Sequence, residues 1–205
     1  MQRGMNVAFL DLNETKGTAL EKDLAAAYGA KRVRFLRVNI VEENEVKRAV
    51  QTIVQHFKKN PQVIVNCAGL PDCNIEAVSP DLSQVHPTAP FRKIINVNVW
   101  GSINVSKYGA LAMAHAEQEP SGERGVIINV ASIAGSEGTK GQAAYAASKG
   151  AIIGATIPMA RSLGKHGIRV VTISPGPIFT GIEMSQGTKD MARFAALGRF
   201  GEVGH

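Results

Sequence analysis

Short apolar runs alternate with amphipathic stretches along this chain, and this alternation constrains its fold more than any other feature. Five runs rich in valine, isoleucine and leucine are strand candidates, at residues 6–10, 33–38, 63–65, 126–130 and 168–173. Unbroken apolar runs are typical of strands that are covered on both faces. Strands that alternate with helices form parallel sheets joined by right-handed crossovers. The sequence therefore predicts an α/β fold with a doubly wound parallel sheet.

The segments between these runs carry helix signals. Residues 43–58 place apolar side chains at helical spacing, at positions 46, 50, 53, 54 and 57, so that one face of this helix packs on the sheet. Asn13 and Gly29 bracket an earlier helix as its N-cap and C′ residues. A chain of 205 residues with 44% hydrophobic content is long enough for one sizeable core. We therefore predict a single domain over residues 1–205.

One long stretch has no regular pattern. Residues 70–88 contain Pro71, Pro80 and Pro87 and exceed the usual length of a loop. A loop of this length is either functional or mobile. It follows the carboxyl end of a predicted strand, which is the edge where ligands bind in open α/β sheets.

Charge, cysteine content and hydropathy exclude several classes of function. The net charge is +6, but the basic residues are scattered, which argues against a nucleic-acid partner. Cys67 and Cys73 have no partner at metal-ligand spacing, so we expect free thiols in an intracellular compartment and no metal site. No run approaches the roughly 18 apolar residues of a membrane span, so no membrane partner is expected.

A tyrosine and a lysine lie four residues apart at the start of a predicted helix. Tyr145 and Lys149 therefore project from the same face, one turn apart. A phenol titrates near pH 10, and an ammonium about 4 Å away would favour the phenolate by up to about 4 kcal/mol, or about three pKa units. Such a tyrosine is a workable general acid and base. Taken alone, the pair is more often a surface aromatic residue beside a solvated lysine.

A serine adds to this pair. Ser132 follows the strand at residues 126–130 and precedes a loop with three glycines that leads back to Tyr145. A short excursion brings its hydroxyl near the phenol, where it can hydrogen-bond a substrate oxygen. Taken alone, Ser132 is more often a turn residue.

Three further motifs accompany these residues. They are Asn66-Cys67-Ala68-Gly69, the Asn-x-x-Gly pattern from Asn98 to Gly101, and the Pro175-Gly176 loop that leads to Thr180. Together with Ser132, Tyr145 and Lys149 they resemble the short-chain dehydrogenase/reductase family over essentially the whole chain. The resemblance implies a Rossmann-type sheet and a reaction that interconverts a secondary alcohol and a ketone.

The resemblance also implies a role for each catalytic residue. Tyr145 would exchange a proton with the substrate oxygen, and Lys149 would hold the nicotinamide ribose and lower the pKa of Tyr145. Ser132 would polarise the carbonyl. Asn98 would hold a water molecule that extends the proton relay; the alternative is a polar helix residue that satisfies its own backbone. The cofactor carries the hydride.

The cofactor implied is NAD. Asp11 ends the first strand, where an acidic side chain accepts hydrogen bonds from the ribose hydroxyls and repels the phosphate of NADP. The other cofactor positions implied by the resemblance are Asn39 and Ile40 at the adenine, Asn66, Ala68 and Gly69 in the turn beside the cofactor, and Pro175, Gly176 and Thr180 at the nicotinamide carboxamide.

A narrower resemblance points to one branch of the family. Residues 119–129, the segment from Gln142 to Tyr145 and the long loop after Gly69 look like a mitochondrial branch that acts on hydroxyacyl-CoA and hydroxysteroids. We therefore expect an acyl-CoA or steroid-like substrate and a location in the mitochondrial matrix or the cytoplasm. Small residues at positions 143, 147, 151 and 154 form a helix face that favours a homodimer or homotetramer, although some of them could pack only on the sheet.

Compared with the family pattern, the sequence starts at the second strand and stops before the last. We expect it to be incomplete at both ends or to be a spliced product, with a divided sheet and weak or no NADH binding, because the glycine-rich phosphate turn is absent. The alternative function is a catalytically silent fragment that binds or regulates full-length subunits. A Ser/His hydrolase is disfavoured because no Gly-x-Ser-x-Gly elbow occurs.

Overall fold

The strands and helices alternate as the sequence predicts. A computed structural model describes residues 4–71, 76–138, 140–179 and 201–202. The strands are β1 (Val7–Asp11), β2 (Val33–Arg37), β3 (Val63–Asn66), β4 (Gly125–Val130), β5 (Ile168–Ile173), β6 (Ile178–Phe179) and β7 (Gly201–Glu202). The helices are α1 (Glu14–Tyr28), α2 (Glu43–Phe57), α3 (Thr88–Ile95), α4 (Ser102–Ala114), α5 (Ala134–Glu137) and α6 (Ala143–Gly164).

All ladders between the described strands are parallel, which confirms the α/β prediction. β1 pairs with β2, β4 lies between β3 and β5, and β6 pairs with β7. Each of the five predicted strands is present within one residue of its predicted ends. Within the described ranges no ladder joins β1 to β3, so the sheet is divided as expected.

Helices cover both faces of the two-stranded sheet β1-β2. On one face Val46 and Ala49 of α2 pack with Val38 and Leu10. On the other, Gly17 of α1 lies so close to Phe35 that a Cβ at position 17 would be 2.2 Å from the ring. This contact explains the glycine near the start of α1.

Helices α4 and α6 cover one face of the sheet β3-β4-β5. Met113 of α4 packs with Ile127, Ile168 and Val170, and Leu163 of α6 packs against this cluster. Because α2 also packs on α4, the helix layer joins the two sheets. Val63, Val65, Val171 and Ile173 are exposed, so the described helices leave that side of the sheet uncovered.

The helix ends follow local chemistry. Asn13 accepts the backbone N–H of Lys16 at 3.0 Å through its side chain, and α1 ends before Gly29, whose φ is 95°. Both predicted caps of α1 are confirmed. Helix α2 ends one residue earlier than predicted, because Lys58 has the left-handed conformation with φ 52°.

The long irregular stretch has local order in its described part. An isolated antiparallel bridge joins Val78 to Val85, and the turn between them is held by the Asp81 carboxylate, which accepts the hydroxyls of Ser79 and Ser83. These hydrogen bonds lower the pKa of Asp81 to about 2. Helix α3 begins at Thr88, where the stretch was predicted to end.

Candidate active site

The residues predicted for catalysis lie at the carboxyl ends of the parallel strands. Ser132 follows β4, and Asn66 ends β3. Helix α6 starts at Ala143, so that Tyr145 and Lys149 lie in its first two turns as predicted. The edge formed by the carboxyl ends of parallel strands is where α/β sheets bind ligands.

Lys149 is buried, with only 7% of its surface exposed. Its Nζ donates to the carbonyl oxygen of Val130, at 2.7 Å, and lies 5.5 Å from the centre of the Tyr145 ring. Tyr145 and Lys149 thus share a face of α6 as predicted, and no hydrogen bond joins the ammonium to the phenol among the described residues; the separation of about 4 Å between the two groups stays a prediction. A buried ammonium needs an oxygen partner, and the end of β4 supplies a carbonyl.

Burial also shifts the pKa of this lysine. Loss of hydration lowers the pKa of Lys149, and the nearby Cys67 opposes this change. A lysine with a lowered pKa gives up its proton more easily than a solvated one.

Ser132 lies in a loop that is held tightly against α6. Its Oγ accepts the backbone N–H of Ala134 at 3.2 Å, which leaves the hydroxyl hydrogen free to be donated. Behind it, a Cβ at Gly135 would be 2.8 Å from backbone atoms of Lys149 and Gly150. Only a glycine allows this approach, so the loop that carries Ser132 rests directly on the turn of α6 that carries Lys149.

Asn98 lies in a π-helical segment, Asn96–Gly101, between α3 and α4. Its Oδ1 accepts the N–H of Leu70 at 2.7 Å, and its Nδ2 donates to the Leu70 carbonyl at 3.0 Å and to the Ser148 hydroxyl at 2.9 Å. The alternative interpretation, in which this side chain satisfies its own helix, is wrong, because its partners belong to other elements. The water molecule assigned to Asn98 stays a prediction. It would need a lone pair on an Asn98 oxygen that no protein group already uses.

Ser148 was not singled out from the sequence. It lies between Tyr145 and Lys149, is fully buried, and donates to the Tyr145 carbonyl at 2.7 Å while it accepts from Asn98. The sequence signal for Ser148 is a single serine in the first turns of a helix that otherwise consist mostly of alanine.

The turn after β3 is supported by a buried polar network. Asn66 donates through Nδ2 to the Ser106 hydroxyl at 2.9 Å and to the Asn129 amide oxygen at 2.8 Å. This network joins β3 to β4 and α4. Gly69 follows it, and a Cβ there would be 3.3 Å from the Asn98 amide oxygen and 3.7 Å from Lys149 Nζ. The backbone of this turn thus lies beside two of the four catalytic candidates.

The predicted cofactor residues lie along the same strand ends. Asp11 is exposed at the end of β1, and its Oδ1 accepts the N–H of Asn13 at 2.8 Å. Its other carboxylate oxygen has no hydrogen-bond partner among the described residues. A ribose diol requires such an acceptor.

The adenine positions form a separate anchored turn. Asn39 accepts the N–H of Val41 at 3.2 Å through its side chain. Ile40 packs on Gly101, where a Cβ would be 2.6 Å from its side chain, and its carbonyl accepts Nδ2 of Asn104 at 3.1 Å. The turn is therefore fixed to the helix that also carries Asn98.

The remaining predicted positions are only partly described. Ala68 is exposed beside Gly69, and the Pro175 carbonyl accepts the N–H of Ile133 at 3.1 Å, which places the Pro175-Gly176 turn next to the loop of Ser132. Thr180 and Cys73 lie outside the described residues. Cys67 is an exposed free thiol.

A cavity of about 450 Å³ lies between the start of α3 and the start of α6. Its lining includes Phe91, Ile95 and Ala143 together with His86 and Arg92. None of the four catalytic candidates lines it. Its position beside the first residue of α6 places it next to the helix that carries Tyr145.

Among the described residues, no group of three or more histidine, cysteine, aspartate or glutamate side chains is arranged to hold a metal ion. Likewise, no helix in these ranges has the length and hydropathy to cross a membrane.

Comparisons with known proteins agree with this geometry. The family model for short chain dehydrogenase matches residues 1–191. The 3-hydroxyacyl-CoA dehydrogenase type-2 of Rattus norvegicus is 41% identical over 174 residues, which cover 85% of this chain. The aligned part spans 64% of the length of that relative.

Solved structures resemble the chain as well. The crystal structure of 3-hydroxyacyl-CoA dehydrogenase type-2 from Mycobacterium avium is 35% identical, with a TM-score of 0.86, and the match covers 98% of this chain and 76% of that one. The structure of an NAD⁺-bound xylitol dehydrogenase is 27% identical, with a TM-score of 0.81 and coverage of 98% and 79%. Both structures share the parallel arrangement described above.

Proposed function

The chain belongs to the short-chain dehydrogenase family, and from this premise we propose that it interconverts a secondary alcohol and a ketone with a nicotinamide cofactor. The observation that carries the proposal is the placement of Tyr145, the buried Lys149 and Ser132 together at the carboxyl end of β4. These residues supply a phenol, an ammonium and a hydroxyl at one edge of the sheet. Together they form a set for proton exchange at a substrate oxygen.

Each of the three residues has a defined role in this mechanism. The Ser132 hydroxyl donates to the substrate oxygen and stabilises the negative charge that develops on it. Tyr145 gives its proton to that oxygen in reduction and takes it back in oxidation. Lys149 provides a positive charge beside the Tyr145 ring and a donor for a ribose hydroxyl. A bound nicotinamide cofactor supplies or accepts the hydride.

The described residues fit such a cofactor at two positions. The free carboxylate oxygen of Asp11 can accept a hydrogen bond from the adenosine ribose, and Lys149 Nζ can donate to the nicotinamide ribose. The adenine would lie on the turn of Asn39 and Ile40, and the turn of Ala68 and Gly69 would flank the ribose of the nicotinamide. The proposed cofactor is NAD, because a carboxylate at position 11 repels the phosphate of NADP.

Cofactor choice is testable at Asp11. Asp11→Ser removes the negative charge, so we expect the ratio of kcat/KM for NAD to that for NADP to fall by at least about ten-fold. Steady-state kinetics with both cofactors measure this ratio. Asp23→Ser, an exposed change on α1, is the matched control and leaves the ratio unchanged. An unchanged ratio in Asp11→Ser would remove Asp11 from the cofactor site.

The proposed substrate is a 3-hydroxyacyl-CoA or a hydroxysteroid. Support comes from the names of the rat and mycobacterial relatives, both 3-hydroxyacyl-CoA dehydrogenases type-2. The apolar cavity beside α6 offers space for part of such a substrate.

The test is an NADH-linked assay with a panel of 3-hydroxyacyl-CoA esters and hydroxysteroids. It is run on the 205-residue chain and on a form that is extended in frame upstream of Met1, and NADH binding to both is followed by fluorescence. Turnover of at least one class by either form supports the proposal. No turnover by either form would refute it and favour a catalytically silent binding partner. All other activity measurements use the form with the higher turnover.

We also propose that the chain forms a homodimer or homotetramer through α6. The small residues at positions 143, 147, 151 and 154 are all exposed, as are Ile157 on the same helix, Trp100 in the π-helical segment and Leu111 in α4. A face of small residues allows a second helix to approach closely, and exposed large apolar side chains favour burial. The partner proposed is a second copy of this chain.

Assembly is testable at the centre of this face. Ala147→Glu places a carboxylate where two copies would meet, so we expect the oligomer to dissociate to monomers. Analytical ultracentrifugation over a range of concentrations measures the change. Gln55→Glu on the exposed side of α2 adds the same charge elsewhere and leaves the assembly intact. A monomeric parent chain, or an Ala147→Glu variant with unchanged mass, would contradict the proposed interface.

The proposed location is intracellular, in the mitochondrial matrix or the cytoplasm. The exposed free thiol of Cys67 is compatible with a reducing compartment. Fractionation of the source cells with an antibody to this chain tests the location, and recovery in secreted material would contradict it.

A further inference from the structure

Ser148 is a buried serine in the interior of a long helix. No part of its surface is exposed, and it follows a segment of α6 in which alanine occupies positions 143, 144, 146 and 147. Alanine is the best helix former, whereas a serine hydroxyl competes for backbone hydrogen bonds and loses hydration when it is buried. A serine at this position therefore requires a use for its hydroxyl that alanine does not provide.

The hydroxyl has two partners, one on each side. It donates to the Tyr145 carbonyl at 2.7 Å, a local bond that many helical serines make. It also accepts Nδ2 of Asn98 at 2.9 Å, and this contact joins α6 to the π-helical segment. The second contact is the unusual one, because it crosses between elements.

The same Asn98 amide also binds the loop after β3. It is 2% exposed, and its amide makes two hydrogen bonds with the backbone of Leu70, one to the N–H at 2.7 Å and one to the carbonyl at 3.0 Å. Leu70 directly follows Gly69, the residue beside Lys149 Nζ. The path from Ser148 through Asn98 to Leu70 thus connects the helix of Tyr145 and Lys149 to the loop whose Gly69 lies beside Lys149 Nζ.

We propose that Ser148 is a positioning residue, which holds the Asn98 amide between α6 and the loop at Leu70 and so fixes that loop against Tyr145 and Lys149. The proposed consequence for catalysis rests on the function proposed above. Without the hydroxyl, one amide hydrogen of Asn98 has no acceptor in a buried site, and an unpaired buried donor favours rearrangement. The loop at Leu70 then loosens while the rest of α6 keeps its structure.

The first test does not depend on activity. Amide hydrogen exchange of Leu70 is measured by NMR in the 205-residue chain, because this N–H is bound directly to Asn98. Ser148→Ala is expected to speed its exchange by at least about ten-fold. The matched control is Ser162→Ala: Ser162 is in the same helix and makes the same bond to the carbonyl three residues earlier, at 3.0 Å, but is exposed. This control is expected to leave Leu70 exchange unchanged.

Two outcomes of this test would overturn the proposal. One is unchanged exchange of Leu70 in Ser148→Ala. The other is a rise of the same factor at the amides of Ile127 and Val170 in the core, since Ser148 would then contribute only to global stability. Faster exchange confined to the Leu70 loop supports the positioning role even if no substrate is found.

The second test is a double-mutant cycle on activity. Ser148→Ala is expected to lower kcat by about ten-fold when Asn98 is present, with the KM for NAD little changed, but by less than about two-fold in the Asn98→Ala background. The same factor in both backgrounds would show that Ser148 acts independently of Asn98 and would overturn the proposal. If every form is inactive, the function proposed above fails and the exchange measurement alone decides the role of Ser148.

Discussion

Tyr145→Phe is expected to lower kcat by about 10³-fold, because it removes the hydroxyl that exchanges the substrate proton. The phenol makes no hydrogen bond within the described residues, so phenylalanine keeps the packing of the ring. The free energy of unfolding of Tyr145→Phe is therefore expected to stay within about 0.5 kcal/mol of that of the parent chain. Steady-state kinetics and thermal unfolding measure the two effects on the same sample.

The matched control is Tyr108→Phe. Tyr108 donates to Glu43 at 2.8 Å where α4 packs on α2, so this variant also loses a phenolic hydroxyl, but on a helix that carries none of the catalytic candidates. It is expected to keep its activity within about two-fold. Substantial activity in Tyr145→Phe, or an equal loss in both variants, would contradict the assignment of Tyr145 as the proton donor.

Gly135→Ala is expected to affect stability and activity together. The added Cβ would be 2.8 Å from backbone atoms of Lys149 and Gly150, and backbone cannot move aside as a flexible side chain can. Overpacking of this kind costs about 1–3 kcal/mol, which for a chain of this size lowers Tm by about 2–12 °C. Ser132, held by the same loop, moves relative to Tyr145, so kcat is expected to fall by about 10²-fold.

Gly164→Ala provides the comparison for this change. Gly164 is the last residue of α6, and a Cβ there meets no atom within 4 Å. The same methyl group at this position is expected to change stability by less than about 1 kcal/mol, through helix propensity alone, and to leave kcat unchanged. If Gly135→Ala behaved like Gly164→Ala, the close approach of the Ser132 loop to α6 would not hold in solution.

The strands were predictable because a single local property defines them. Each of the five is a short run in which apolar residues predominate, and packing against a layer of helices requires such residues whatever the partner strand is. The caps of α1 were predictable for a similar reason, since Asn13 and Gly29 act through their own backbone neighbours. Local chemistry of this kind can be read from the order of residues.

The contacts of the catalytic candidates were less predictable, because they depend on atoms far away in the chain. Helical spacing correctly placed Lys149 on the same face as Tyr145, but could not reveal that the Val130 carbonyl would take its ammonium. The partners of Asn98, Leu70 and Ser148, lie 28 and 50 residues away. Periodicity gives the face of a helix, whereas three-dimensional packing decides which buried polar group meets which.

The most direct test of the account follows the hydride itself. NADH labelled with deuterium at the transferring position is incubated with a 3-oxoacyl-CoA and the form with the higher turnover, and the alcohol product is analysed by mass spectrometry. The account predicts one deuterium at the new alcohol carbon with the parent chain and no such product above background with Tyr145→Phe. An alcohol that lacks deuterium, or equal labelling by both proteins, would contradict the assignment of this site as a hydride-transfer centre that depends on Tyr145.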